Sequence, residues 1–385
     1  MPDTTLFVNL IKKRFCLPAS HSVCASVLST DEVGALMDLA QRHDVTAIIG
    51  SVLLEENKIS SEDLRKHIQE ILCQAACYYE IMHHELQWIC DILETAQIPH
   101  VVLKGGAIRE LYPEPWLRTS GDIDILVPEE LVTQAEAILL DNGCTSNGAR
   151  RYHDIPLKTP ANNLLELHFS IQEDIPALDH VLDTVWDYCE IIPGKQYQYR
   201  QSTEFLIFHL LSHMSYHLTH GGCGIRSFVD IYLLLQKDYD SRILNELCRQ
   251  AQLHSFLENV CQLNGIWFGD GKHTPVTQLL EQLVISGGTF GTKSTQILME
   301  QAHSGNKRKY FWGRIFMPYG LLKKQYAVLE KWPVLFPIFQ VGRWFRILFT
   351  GRSGIAVEQL QTGHSHSCEQ VRQTKQLLRE IGLNF

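Results

Sequence analysis

Most of this chain is written at helical period. Its fold is constrained above all by one short stretch that breaks the pattern. Asp122-Ile-Asp-Ile-Leu-Val127 alternates acid with apolar side chain and then turns wholly apolar. Alternation at period two predicts a β-strand with one wet face at its start. Just upstream, Val101-Val-Leu103 is a second short, β-branched strand, broken by Lys104-Gly105-Gly106. Ala107 to Leu111 suggests one or two helical turns, and Pro113-Glu-Pro115 forbids regular helix after them. Two further strands are predicted near Ile155–Lys158 and Leu164–Phe169, the first an edge strand because Pro156 lacks a donor.

Helices surround these strands. Ser29-x-x-Glu32 is a capping box that opens a stripe of Val33, Leu36, Met37 and Ala40. A second helix starts near Ser60-x-x-Asp63 and runs to about Glu94. Pro128 sits well at the first turn of a helix that stops at Asn142-Gly143. Beyond Thr184 the chain reads as helical at 202–219, 224–237, 241–252 and 254–267, with more helices after 275. Ser202-Thr-Glu204 misses a capping box by one position. The fold class is therefore α+β, a small mixed β-sheet core between N-terminal and C-terminal helical regions. The expected divisions are a helical region at 1–96, an α/β core at 97–185, a helical domain at 186–305 and a basic aromatic helical tail at 306–385.

At 385 residues, 45% hydrophobic and 20% charged, the chain is no disordered, collagenous or rod-like protein. Its net charge of -9 argues against a nucleic-acid coat protein, so a nucleic-acid partner is not expected. The charge is uneven. Lys307 to Arg352 holds ten basic residues against Glu330 alone, about +9, which leaves about -18 elsewhere. Eleven scattered cysteines without a CxxC read as free thiols in a reducing cytoplasm. The N-terminus places Lys12-Lys-Arg14 after its apolar stretch, the reverse of a secretory signal. No run of 18 apolar residues predicts a spanning helix.

Chemistry concentrates on the broken pattern. Residues i and i+2 of a strand share a face about 6–7 Å apart, so Asp122 and Asp124 present two carboxylates to one side. Like charges that close are costly without a cation between them, and hard oxygen ligands select Mg²⁺ or Mn²⁺. Glu166, alternating with Leu165 and Leu167, is the candidate third acid from a neighbouring strand, and three acids could hold two metals. Gly105 and Gly106 allow close backbone approach to phosphate, and Lys104 and Arg118 could add charge to a triphosphate. Metals, a phosphate cradle and cations together describe phosphoryl or nucleotidyl transfer.

The Gly-Gly turn, the Asp122-x-Asp124 pair and a third acid on a later strand resemble the DNA-polymerase-β-like nucleotidyltransferase superfamily. More narrowly, Leu103-Lys-Gly, Arg118 and Gly121-Asp-Ile-Asp-Ile-Leu-Val127 resemble the core of an uncharacterised bacterial nucleotidyltransferase family. Ala40–His43, Glu166-Leu-His168, His209, His213, Gly224-Ile-Arg226, Asp230-Ile231 and the basic, Pro-interrupted tail are similar as well, over about residues 30–350. Two departures stand out: a long gap from Gly106 to Asp122, and Glu rather than Asp as third acid. The resemblance implies Mg²⁺-dependent transfer of a nucleoside monophosphate from an NTP, usually ATP, to an acceptor it does not define. It implies metal ligation by Asp122 and Asp124 and proton removal by Glu166.

Other residues have plainer readings. His209, His213, His217 and His220 form a helical stripe, but nothing in the sequence completes a zinc set. His213 and Arg226 are accessory candidates facing the nucleotide, and His168 shares the Glu166 face. His364-x-His366-x-Cys368 reads as a mobile tail. The aromatic, basic 307–352 segment could meet a membrane interface or an anionic acceptor. The plainer expectation packs it on the acidic remainder. The alternative to an enzyme is a non-catalytic nucleotide-binding sensor or scaffold on the same fold.

Overall fold

A computed structural model describes residues 4–15, 26–303, 316–326, 328–349 and 366–383. Seven strands, β1 (His100–Val102), β2 (Asp122–Leu126), β3 (Thr145–Ser146), β4 (Asp154–Lys158), β5 (Leu164–His168), β6 (Cys189–Ile191) and β7 (Gln198–Gln201), form one sheet. Their order is β3-β4-β5-β2-β1-β7-β6. The sheet is mixed: β2 runs parallel to β5 and antiparallel to β1, while β1 runs parallel to β7. The α+β expectation stands.

Around the sheet lie α1 (Thr4–Phe15), α2 (Thr30–Arg42), α3 (Thr46–Glu55), α4 (Glu62–Thr95), α5 (Lys104–Ile108), α6 (Val132–Asp141), α7 (Pro176–Leu182), α8 (Thr203–His220) and α9 (Ile225–Leu235). Then follow α10 (Ser241–Gln250), α11 (His254–Trp267), α12 (Pro275–Gly287) and α13 (Lys293–His303). Ser29 caps α2 as a full capping box. The cap of α4 is Ser61, one residue past the expected Ser60. Ser202 caps α8 through the Phe205 amide without a capping box.

Helix α3, inside the 1–96 region expected to be helical, carries apolar or small residues on every side, with Ala47 to Leu53 all buried. Three strands depart from the sequence reading. Strands β6 and β7 continue the sheet to Gln201, within a stretch read as helical. Strand β4 is not the edge, because β3 pairs outside it. The proline still explains where that pairing stops. The Pro156 carbonyl accepts the Asn147 amide, but Pro156 offers no N–H on that side, and β3 ends at Ser146.

The two faces of the sheet bury different cores. Ile123, Ile125, Leu165, Leu167, Ile155 and Leu157 pack beneath Met82, Leu86, Ile89 and Leu93 of α4 and Leu139 of α6. Leu126 faces the other way, into the large helical core with Phe205, Phe208 and Phe228. The even-numbered residues of β2 therefore point towards the helices that follow the sheet. The nine cysteines among the described residues are free.

Candidate active site

The acids are placed by the apolar residues between them. Burial of Ile123, Ile125, Leu165 and Leu167 on one face forces Asp122, Asp124, Glu166 and His168 onto the other. The parallel register aligns Asp124 with Glu166 and Leu126 with His168. One donor atom from each of Asp124, Glu166 and His168 lies within 4.8 Å of the others.

Asp124 is the centre of this group and is buried. Its Oδ1 accepts from Lys104 Nζ at 3.0 Å and meets His168 Nε2 at 2.8 Å. Burial alone would raise its pKa, but the Lys104 charge and the His168 bond outweigh it and hold the carboxyl far below the usual range. Lys104 and His168 answer in kind: burial opposes their charge, Asp124 overrides it, and both are raised. Glu166 is lowered by the His168 imidazole beside it. Its other oxygen accepts from Arg151 at 2.9 Å, and Arg151 also reaches Asp154 at 3.2 Å. Asp122 behaves oppositely: burial and the Asp124 charge raise it. The His153 ring stacks on His168, with centroids 5.6 Å apart and planes 6° from parallel.

Lys104 opens α5 with φ of 45°, a left-handed conformation that costs a side-chain-bearing residue about 1–3 kcal/mol. The two glycines after it are explained by packing. A Cβ on Gly106 would stand 2.5 Å from Val102 Cγ1, and one on Gly105 would stand 3.1 Å from Ser120 Cβ.

Arg118 is not turned to the acids. Its guanidinium grips Asp230 of α9 through Nε at 3.0 Å and Nη2 at 2.9 Å, and Tyr112 adds a 2.6 Å hydrogen bond to the same carboxylate. Arg226 is half-buried and donates to the Thr119 carbonyl, which also accepts from Arg118. Arg109 donates to Ser120 Oγ at 3.0 Å. Three arginines thus hold the 118–121 loop that delivers Asp122.

On α8, His213 Nδ1 meets Glu173 at 2.8 Å and its Nε2 meets His217 at 3.0 Å. Burial raises Glu173, against the nearby Lys104 charge, and pushes His209, His213 and His217 each down to about 3, an effect to which Lys104 adds. Neutral rings explain the chain of contacts: His217 donates to His213, which donates to Glu173. His213 thus lies in the field of Lys104, Asp124 and His168, while its bonded partners are Glu173 and His217. Sequence reasoning missed Arg151, His153, Asp154 and Glu173, which lie in loops or at a strand start and carry no periodic signal. Asp230 was visible only as part of the family pattern. His366, expected in a mobile tail, is buried 2.9 Å from Ser294 Oγ, whereas His364 lies outside the described residues.

A family model described as an uncharacterised nucleotidyltransferase matches residues 29–269, which include all seven strands and α2 to α11. No curated protein and no solved structure matches the chain.

Two outcomes follow from the buried charges. Asp230→Ala strands Arg118 without a partner and lowers stability by about 3–5 kcal/mol in urea denaturation, whereas Asp230→Ala with Arg118→Met recovers much of the loss. The depressed histidines set a pH dependence. Unfolded imidazoles bind protons near pH 6.5 and the folded ones only near 3, so stability falls as pH drops between those values. His209→Gln should flatten that fall by up to about 1.4 kcal/mol per pH unit, read as the difference between the two stability–pH curves.

Proposed function

Because the chain belongs to the uncharacterised nucleotidyltransferase family, and is a transferase of that class, we propose that it moves a nucleoside monophosphate from an NTP, ATP first, to an acceptor hydroxyl. The observation that carries the reading is the register of β2 with β5, which sets Asp124 beside Glu166 with Asp122 on the same face. The acceptor class we favour is a small molecule, a sugar or a peptide or protein hydroxyl, since the chain's net charge of -9 repels a polyanion.

The residues fit a divalent ion. Asp122, Asp124 and Glu166 are hard oxygen donors, and burial of Asp122 next to Asp124 leaves like charges that a cation would relieve. Asp122, Asp124 and Glu166 would hold Mg²⁺ or Mn²⁺, which when bound would neutralise charge developing on the triphosphate. His168 is a positioning residue, since its Nε2 is committed to Asp124. Lys104, carried by the Gly105-Gly106 turn, binds phosphate. Arg118 acts through the loop it holds, and Arg226 does the same. His213 borders the acceptor side. In the reaction the acceptor oxygen bonds to the α-phosphorus, the bond from that phosphorus to the bridging oxygen breaks, and pyrophosphate leaves. Glu166, held ionised by His168, takes the acceptor's proton.

Pyrophosphate release on adding ATP, Mg²⁺ and a cell extract tests this reading. Asp124→Asn should lower release at least ~1000-fold while leaving the circular dichroism spectrum unchanged. ATP binding by calorimetry with no release in any extract would instead support the non-catalytic sensor or scaffold.

Lys104 gives a second test. Its ammonium already neutralises Asp124, so it competes with any divalent ion for the same oxygen. Lys104→Met should bind Mn²⁺ more tightly than the unaltered chain in the absence of nucleotide, and bind ATP about 10-fold more weakly, by paramagnetic resonance and calorimetry. Weaker Mn²⁺ binding in this variant would contradict the assignment.

A further inference from the structure

Apolar exposure is concentrated in one place. Seventeen large hydrophobic residues are exposed among the described residues, and eight of them lie between Phe316 and Phe345. This stretch follows α13 and comprises helices Tyr319–Gln325, Val328–Lys331 and Phe336–Phe349 with a turn at Pro333–Leu335. Val334 is 86% exposed, Ile338 65%, Trp332 64% and Phe345 57%. On the last helix, Ile338, Val341 and Phe345 recur at i, i+3 and i+7, so they share one face. The other side of that helix is occupied: Gln340 is buried and donates to the Met317 carbonyl, and Phe339 packs on Tyr326 with ring centroids 4.6 Å apart. The outward stripe is therefore no leftover of a helix that failed to pack.

Charge says what covers the stripe. Residues 316–349 contain Lys323, Lys324, Lys331, Arg343 and Arg346 against Glu330 alone, and Glu330 is itself paired with Lys323 at 3.0 Å. A second copy would set two such positive surfaces against each other. The helix spans about 21 Å at 1.5 Å per residue, too short to cross a bilayer, and no helix among the described residues is long and apolar enough to do so. A short helix with an outward apolar face, basic flanks and an exposed tryptophan matches an anionic lipid interface.

We propose that residues 316–349 form a peripheral membrane surface, which lays Trp332, Val334, Ile338, Val341 and Phe345 into the headgroup region of an anionic bilayer. The sequence reading expected this segment to pack on the acidic remainder with its basic side chains solvated. The apolar exposure argues for the interfacial alternative. The parts of the 307–352 segment before 316 and after 349, with residue 327, lie outside the described residues. The proposal stands apart from the nucleotidyl-transfer reading, because no acid-cluster residue enters it.

The test is co-sedimentation of the full chain, at physiological salt, with phosphatidylcholine vesicles and with vesicles containing one-third phosphatidylglycerol. Binding to the anionic vesicles should be at least ~10-fold stronger. Val334→Asp with Ile338→Glu should abolish it, and Lys331→Glu with Arg343→Glu should erase the preference for phosphatidylglycerol. Circular dichroism and a spin without vesicles establish that each variant is folded and soluble. The charge-reversal pair reports on its own should the first pair misfold. No binding to anionic vesicles, or binding unchanged in both pairs, would overturn the proposal. So would a dimer in light scattering that dissociates in Val334→Asp/Ile338→Glu, which would assign the stripe to a second copy.

Discussion

A carboxylate buried in the middle of a sheet needs positive charge within reach, and Asp124 organises this molecule around that need. Burial by itself raises its pKa and disfavours the charged form. Instead Lys104 and His168 converge on one of its oxygens, one from the turn after β1 and the other from β5. To reach it, Lys104 adopts a left-handed backbone. The two glycines that follow let α5 lie close against β1 and the 118–121 loop. Strand register, turn geometry and loop placement are thus tied to the solvation of a single side chain.

Charge balance extends outward in layers. Glu166 draws Arg151, which also pairs with one oxygen of Asp154 at the start of β4. Across from the sheet, His213 links Glu173 to His217, and burial favours the neutral forms of His209, His213 and His217. The environment is one in which ionised groups come in matched sets and unmatched ones give up their charge.

The shared face of the acid pair and of Glu166 was legible because strand alternation is local: period two alone puts Asp122, Asp124 and Glu166 on one face of their strands. The pairing of Lys104 with Asp124 was not legible: the sequence reading gave Lys104 to a triphosphate, and only the fold sets its ammonium against the carboxylate. What escaped depended on distance in the chain. Arg118 reads as a free cation until Asp230, 112 residues later, is folded against it. Glu173 and Arg151 sit in loops, where no period marks a side chain's direction. Strands β6 and β7 escaped because Cys189-Glu-Ile and Gln198-Tyr-Arg-Gln are short and polar, and their pairing is dictated by the open edge of β1 rather than by their own composition.

The Thr119 carbonyl has a wider meaning. It accepts from Arg118 and from Arg226, and α9, which carries Arg226, begins at an amide that donates to His43 Nδ1 at 3.1 Å. Arg226 also reaches Asp44 at 3.3 Å. A residue pair at the end of α2 is thereby wired, through two helices and one peptide oxygen, to the backbone that aims Asp122. The amino-terminal helices thus do more than fill the core: their last residues share in fixing the peptide that precedes Asp122.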